Sequence, residues 1–499
     1  MIYNSYKKYN IYLWAGFASI LLTLIRLFYN QPFDIDGIIY LNTAKAFTAQ
    51  GLHAAMSIYR WPFYSILIAL LSKITHLSLL HSTYFLNALL DTGTVIIFIM
   101  LIKELGGSRK TQIIGAFIII TFPFLNHFRD DVLRGHGYYP FALLAILYLI
   151  RYARSYQWHY AISWALAAIL ATLFRIEGAV LVYFLPLILL FTPKLKLTFK
   201  IKKLIQAYTI LLIISCGIIL FYPHILYHTS RIPEFIHQLA NGWQLTLNTL
   251  QMKAKAINTI GIWPISEYRG TSAYFLGGGL VATYLGRLIS TFGLLYVILS
   301  IYAIVQKTVP ADRPAKMVWL YAILLNIILT SIFLCQELFL SFRYIALLCF
   351  LLLLGVPFAL EKIYINWKTY QPIITGSRWL LPLIIIGLIY TAANGIGHFG
   401  PSKTYIVKGG QWINNNTPIN SKLYSNDIQL YYYANREGFC NKDNQKIYRH
   451  NLHNFNYMAL KIPKHHVKDE KNLIAYIKLT PIKIFYSNRG DKLLIFKIK

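Results

Sequence analysis

Acidic residues are the scarcest charges in this chain: 18 Asp and Glu stand against 48 Lys and Arg, and the four types together make 13% of 499 residues. A water-soluble domain carries roughly 25% charged residues, so this balance excludes an ordinary solvated surface. Cysteine is also rare. Cys216, Cys335, Cys349 and Cys440 show neither the spacing of a metal module nor the density of a disulfide scaffold. No internal repeat is evident, which argues against transporters built from duplicated halves. Few small residues follow the first apolar run, so a cleaved signal peptide is not expected and the run reads as a permanent anchor.

What replaces these is apolar sequence: 57% of the residues are hydrophobic. Runs suited to a membrane core of ~30 Å cover residues 11–29, 83–102, 111–128, 138–151, 159–174, 178–192, 204–222, 280–305, 317–334, 342–360 and 379–397, about eleven helices in all. The run at 62–80 reads instead as a re-entrant or interfacial helix, because counting it as a span reverses the loop charges. The formal charge of +30 is not gathered for nucleic acid. Lys and Arg cluster in the short gaps 103–110, 151–154, 194–203, 307–316 and 362–378, the pattern of cytoplasmic loops, which puts the amino terminus inside.

The remaining gaps then face outward. Two are long: 30–82, which contains a helix that Asp36 is expected to cap and Gly51 to end, and 223–279, whose run Gly277, Gly278 and Gly279 reads as a mobile loop. Near residue 400 the composition turns polar, and KLYSNDIQLYYYAN and KIFYSNRGDKLLIFKIK read as strand and turn followed by strand or helix. The expected organisation is a membrane module over 1–399 and a small extracytoplasmic α/β domain over 400–499.

Four polar clusters lie at the outward ends of the spans: Asp34 and Asp36; Arg129, Asp130, Asp131, Arg134 and His136; Arg175 and Glu177; and Glu337, Arg343 and Tyr344. An ionised side chain at mid-bilayer costs roughly 3 kcal/mol, so acids near a membrane are paired, solvated or functional. Each cluster has a plainer reading. Asp36 caps a helix; Asp130 and Asp131 form a solvated turn with Arg129 and Arg134; Arg175 and Glu177 hold two helices together; Arg343 snorkels to the interface.

In order and sidedness, QPFDIDGIIYLNTAKAFTAQG, WPFYSILIALL, KELGGSRK, RDDVLRGHGYY, FRIEG, the Arg343–Tyr344 pair and GGQWINNNTPINSKLYSND together resemble the membrane-embedded glycosyltransferases of the GT-C class. The closest resemblance is to family 39, which includes protein O-mannosyltransferases and lipid A aminoarabinose transferases. It implies a GT-C fold and an inverting transfer of a sugar from a polyprenyl-phosphate donor to an extracytoplasmic protein, lipid or glycan acceptor in a bacterial inner membrane.

Asp36 is then the base and Asp34 its supporting acid. Arg60 or Arg343 would face the lipid phosphate. Asp131 or His136 would position acceptor or sugar, and Asp130, Arg134, Arg175, Glu177, Glu337 and Tyr344 complete the candidate substrate contacts. Gly37 stands where the family usually has Glu, so no metal site is assigned; a divalent cation is compatible with the acids but not required by them. A transporter or flippase of a lipid-linked saccharide is the alternative, although it calls for ionisable groups along a path rather than at one face.

Overall fold

The computed structural model describes residues 10–193, 195–221, 231–259, 271–370, 379–397, 402–440, 452–464 and 479–499. Helix α1 (Ile11–Phe28) begins where the Asn10 side chain accepts the Tyr12 N–H. Helices α2 (Ile35–Ile58), α3 (Phe63–Thr75) and α4 (Leu79–Glu104) follow. The 13 residues of α3 rise roughly 20 Å, short of a bilayer core. Gly51 at φ 80° breaks α2 but does not end it, because the helix resumes to Ile58.

Several expected spans are interrupted. Pro123 divides residues 111–128 into α5 (Arg109–Thr121) and α6 (Pro123–Phe128), with Phe122 extended between them. After α7 (Gly135–Ser155) and α8 (Trp158–Phe174), residues 178–192 form the five-residue α9 (Ala179–Tyr183) and a 3-10 segment, Leu185–Phe191. Helix α10 (Leu197–Phe221) is regular. The outer segment 223–279, expected as a mobile loop, contains the 29-residue helix α11 (Arg231–Thr259). Its glycine run lies inside α12 (Ser272–Phe292). Residues 222–230 and 260–270, with His228, lie outside the described residues.

Gly293, at φ 91°, separates α12 from α13 (Leu294–Val305). The membrane module continues with α14 (Arg313–Glu337), α15 (Phe342–Leu353), α16 (Val356–Tyr370) and α17 (Leu380–Ile396). Among the described residues, five helical stretches are long and apolar enough to cross a membrane, and five further apolar helices are shorter. Large apolar side chains such as Leu13, Trp14 and Phe17 on α1 and Ile385, Ile386 and Ile389 on α17 are exposed, as a lipid-facing surface requires. Helices α7 and α8 pack most extensively against each other. Ala161, Ala165, Ala168 and Ala171 are all fully buried at helical spacing, and such small residues allow close approach in an apolar medium.

At the basic ends of α4 and α7, Glu104 pairs with Arg151 at 2.8 Å and with Arg154, which also reaches Asp312 at 2.7 Å. The opposite ends of these helices carry the polar clusters. Over them sits the carboxy-terminal domain: α18 (Thr404–Asn416), β1 (Leu423–Ser425), α19 (Ile428–Ala434), β2 (Gly438–Cys440), β3 (Tyr457–Ile462), β4 (Lys483–Tyr486) and β5 (Lys492–Lys497). The sheet order is β2-β1-β3-β5-β4, with β1 parallel to both neighbours and the other pairs antiparallel. Asp427 caps α19 through the N–H groups of Gln429 and Leu430. All four cysteines are free thiols.

Candidate active site

The cap of α2 is Asp34, not Asp36: the Asp34 carboxylate accepts the Asp36 N–H at 2.9 Å. Asp36 is thereby left in the first turn with its side chain available. Arg343, at the start of α15, donates to Asp36 Oδ2 at 2.6 Å. Both partners keep some exposure, 24% for Arg343 and 41% for Asp36. Pairs of that kind contribute about 0–1 kcal/mol, so this one parts readily.

Around it close Tyr40, Arg134, Arg175 and Tyr344, forming a pocket of about 50 Å³ with Asp36 and Arg343 on its wall. One water needs roughly 10–15 Å³, so the pocket as it stands admits a few waters. The three arginines are held from behind. Arg134 donates to the Tyr40 hydroxyl at 2.9 Å and lies 5.0 Å over the Tyr59 ring. Arg175 donates to Glu177 at 2.6 Å and lies 4.8 Å over the Tyr344 ring, which stacks on Phe333. The Arg343 carbonyl oxygen accepts from the Tyr139 hydroxyl at 3.1 Å and from Arg175 at 3.3 Å. The expected Arg175–Glu177 pair therefore forms, but within one segment; the α8 end is joined to α15 by the Arg175 bond to the Arg343 carbonyl.

Other candidates go elsewhere. Asp131 accepts the Asp34 N–H at 3.1 Å and faces a second cavity, of about 560 Å³, with Asp34, Lys403, Asp427 and Lys461. Burial, together with the charges of Asp130 and Asp34, pushes the Asp131 carboxyl well above the usual carboxylate range. Asp130 pairs with neither Arg129 nor Arg134. It binds Arg26 of α1 through both carboxylate oxygens, at 3.1 and 3.2 Å, with exposures of only 12% and 4%.

His136 is fully buried. It bridges Asp91 at 2.8 Å and the Asp131 carbonyl at 3.1 Å. The same carbonyl accepts from Asn87 at 3.0 Å, and Asn87 accepts from Tyr64 at 2.8 Å. Arg129, also fully buried, donates to Asn126 of α6 and ties that end to Ser19 and Thr23 of α1.

Arg60 does not line the Asp36 pocket. It follows Tyr59, whose backbone is extended at φ −142°, and neighbours along extended chain point to opposite sides. Tyr59 and Trp61 turn inward, to Arg134 and to the Thr172 carbonyl, and Arg60 is exposed. Glu337, the last residue of α14, is likewise exposed and outside the pocket.

Arg26, Tyr40 and Asp91 are contributors that the sequence reading passed over. The signal for Arg26 and Asp91 was present, as isolated charges within apolar runs. No trio of His, Cys, Asp or Glu suited to a metal ion occurs among the described residues. Gly37 has a packing reason: an added Cβ would lie 2.6 Å from the Phe33 ring and 2.7 Å from Val132 Cβ.

No family model and no curated relative matches the sequence. Solved structures do match in fold. The oligosaccharyltransferase AglB from Archaeoglobus fulgidus, solved with an inhibitory peptide and a dolichol-phosphate, aligns over 96% of this chain and 74% of its own, with TM-score 0.54 and 12% identity. ArnT from Cupriavidus metallidurans, in the apo state, aligns over 97% of both chains with TM-score 0.50 and 12% identity. The chain has a GT-C fold. Within this GT-C fold, Asp36, Arg134, Arg175, Glu177, Arg343 and Tyr344 come together from segments more than 300 residues apart, whereas Asp34 and Asp131 face a neighbouring cavity.

Proposed function

We propose that the protein is an integral-membrane glycosyltransferase that moves a sugar from a polyprenyl-phosphate carrier to a hydroxyl acceptor on the outer face of a bacterial inner membrane. The observation that carries this reading is a partly exposed carboxylate, Asp36, paired weakly with Arg343 in a pocket at the membrane end that Arg134 and Arg175 also line. The GT-C fold supports the reaction class, and the dolichol-phosphate in the AglB structure supports a lipid-phosphate carrier.

In the proposed reaction the donor phosphate takes the N–H groups of Arg343, which frees the Asp36 carboxylate from its partner. The acceptor hydroxyl passes its proton to Asp36 as its oxygen bonds to the anomeric carbon from the face opposite the phosphate. The bond from that carbon to the phosphate oxygen breaks, and the electron pair leaves on the phosphate with inversion. Negative charge grows on the departing phosphate, where Arg343, Arg175 and Arg134 stabilise the transition state more than the ground state. Glu177 and Tyr344 hold Arg175 in place for this.

The test is transfer of labelled sugar from a polyprenyl-phosphate donor by membranes containing each variant. Asp36→Asn should lose about 10²–10⁴-fold in turnover, the range of general-base catalysis. Arg343→Ala should raise the donor KM as well as lower kcat. Full activity in Asp36→Asn would remove the basis for the mechanism.

A further inference from the structure

The basic end of the bundle, opposite the candidate active site, holds a cleft that the transferase reading leaves unused. Its walls are the 3-10 segment Leu185–Phe191, the two residues after it, the last turn of α7 and the first turns of α14. A 3-10 helix repeats every three residues, so Leu185, Ile188 and Phe191 form one row. Along that row the side chains pass from fully buried, through nearly buried, to 67% exposed. Beside Ile188 lies a cavity of about 170 Å³, lined also by Leu189, Pro193, Met317 and Val318. Exposed Phe191 on one wall and Leu320 on the other mark both elements as facing lipid.

The polar groups of this region are mostly spent. The Thr192 hydroxyl donates to the Leu189 carbonyl at 2.8 Å. Glu104 is held by Arg151 and Arg154, and Asp312 by Arg154 and by the N–H of Ala315. Lys200 donates to the Leu190 carbonyl and Lys203 to Gln206. Two cations remain. Arg313 is exposed and lines the cavity, and Lys316, three residues on, shares its side of α14. Neither side chain has an ion-pair or hydrogen-bond partner among the described residues.

We propose that this cleft binds one anionic phospholipid, with a stretch of acyl chain in the cavity and the phosphate on Arg313 and Lys316. The site does not depend on the transferase reading. An apolar cavity of about 150 Å³ stays dry and accepts hydrocarbon, so this one suits part of a chain. A neutral hydrocarbon would leave the two cations without a partner, and a free phosphate would leave the apolar walls without one. An amphiphile with a negative head satisfies both. Each Lys or Arg beside an anionic lipid strengthens binding about fivefold, so two of them select such a lipid over a zwitterionic one.

The experiment is native mass spectrometry of the full-length protein released from detergent, with dioleoyl-phosphatidylglycerol and dioleoyl-phosphatidylcholine as probes and inorganic phosphate as competitor. One phosphatidylglycerol should be retained about tenfold or more tightly than phosphatidylcholine, and phosphate should not displace it. Arg313→Gln combined with Lys316→Gln should abolish that preference. Lys103→Gln combined with Lys110→Gln removes the same charge from exposed positions at the same end, outside the cleft, and should leave the preference intact. Thr192→Trp, which fills the cleft while keeping both cations, should weaken retention of phosphatidylglycerol. Melting curves matching the parent show that these losses are not unfolding.

Equal retention of the two lipids overturns the proposal, as does an equal loss of preference in the two double variants, which would mean diffuse charge rather than a site. Displacement of the lipid by phosphate, or full retention in Thr192→Trp, would reduce the cleft to an anion contact and overturn it as well.

Discussion

Two ion pairs with similar geometry have different uses because of where they sit. Arg26–Asp130 is nearly dry, and removing one partner from a buried pair costs about 3–5 kcal/mol, so it behaves as a fixed brace. Arg343–Asp36 is wet enough to separate at little cost. Sequence reading identified both Asp36 and Arg343 but not their pairing, because they lie on helices 307 residues apart in the chain.

Asp131 gives a pH test at the same scale. Its folded carboxyl is raised above the ordinary value by burial and by Asp130 and Asp34, so the folded state holds this proton more tightly than the unfolded chain does. Its contribution to stability is therefore full below the ordinary carboxylate range and is lost as pH rises through the raised value. Asp131→Asn keeps a carbonyl to accept the Asp34 N–H. It should raise the melting temperature near neutral pH, with the gain shrinking towards about pH 4, where an unperturbed Asp titrates. A pH series of melting curves checks this; equal curves at every pH would reject a strained Asp131.

At the scale of elements, glycines that look alike in sequence separate by context. Gly37 lies against Phe33 and Val132, whereas Gly277 inside α12 has open space around its Cβ direction. Gly37→Ala should destabilise by about 1–3 kcal/mol, the cost of overpacking. Gly277→Ala should stabilise by roughly 0.5–1 kcal/mol through helix propensity. Melting temperatures shifting in opposite directions test both.

The same context explains where sequence reading missed elements. A run of three glycines signals a loop only if nothing else supports a helix, and here α12 continues through them against α14 and α15. The breaks at Pro123 and Gly293 carried local signals, a residue without an N–H and a glycine free to take positive φ. Those signals were outweighed by the continuous hydrophobicity on either side.

For the whole molecule, the outer domain is joined to the first outer segment by a few specific links. Gln429 donates to the Phe33 carbonyl at 2.7 Å, and the Phe33 ring meets Tyr432 and Tyr433 edge-on at 5.3 and 5.7 Å. The Lys403 N–H donates to Gln31 at 2.8 Å. Gln429→Leu leaves a buried carbonyl without its donor, at a cost of about 1–3 kcal/mol. It should speed hydrogen exchange in β1 and α19 while leaving α7 and α8 protected; unchanged exchange would show that the link does not hold the domain.

The amino-acid sequence by itself determined the class of solvent and the approximate spans, because burying so many apolar residues leaves a helical membrane bundle as the consistent solution. It also determined that the few acids beside the spans stand out, since charge is costly there. Only the tertiary structure decided which charges meet. Asp36 was brought to Arg343, Asp130 to Arg26 and His136 to Asp91. Hydrophobic periodicity specifies which face of a helix is covered, but the partner across that face depends on how distant helices pack, and pairing energies are set at that contact.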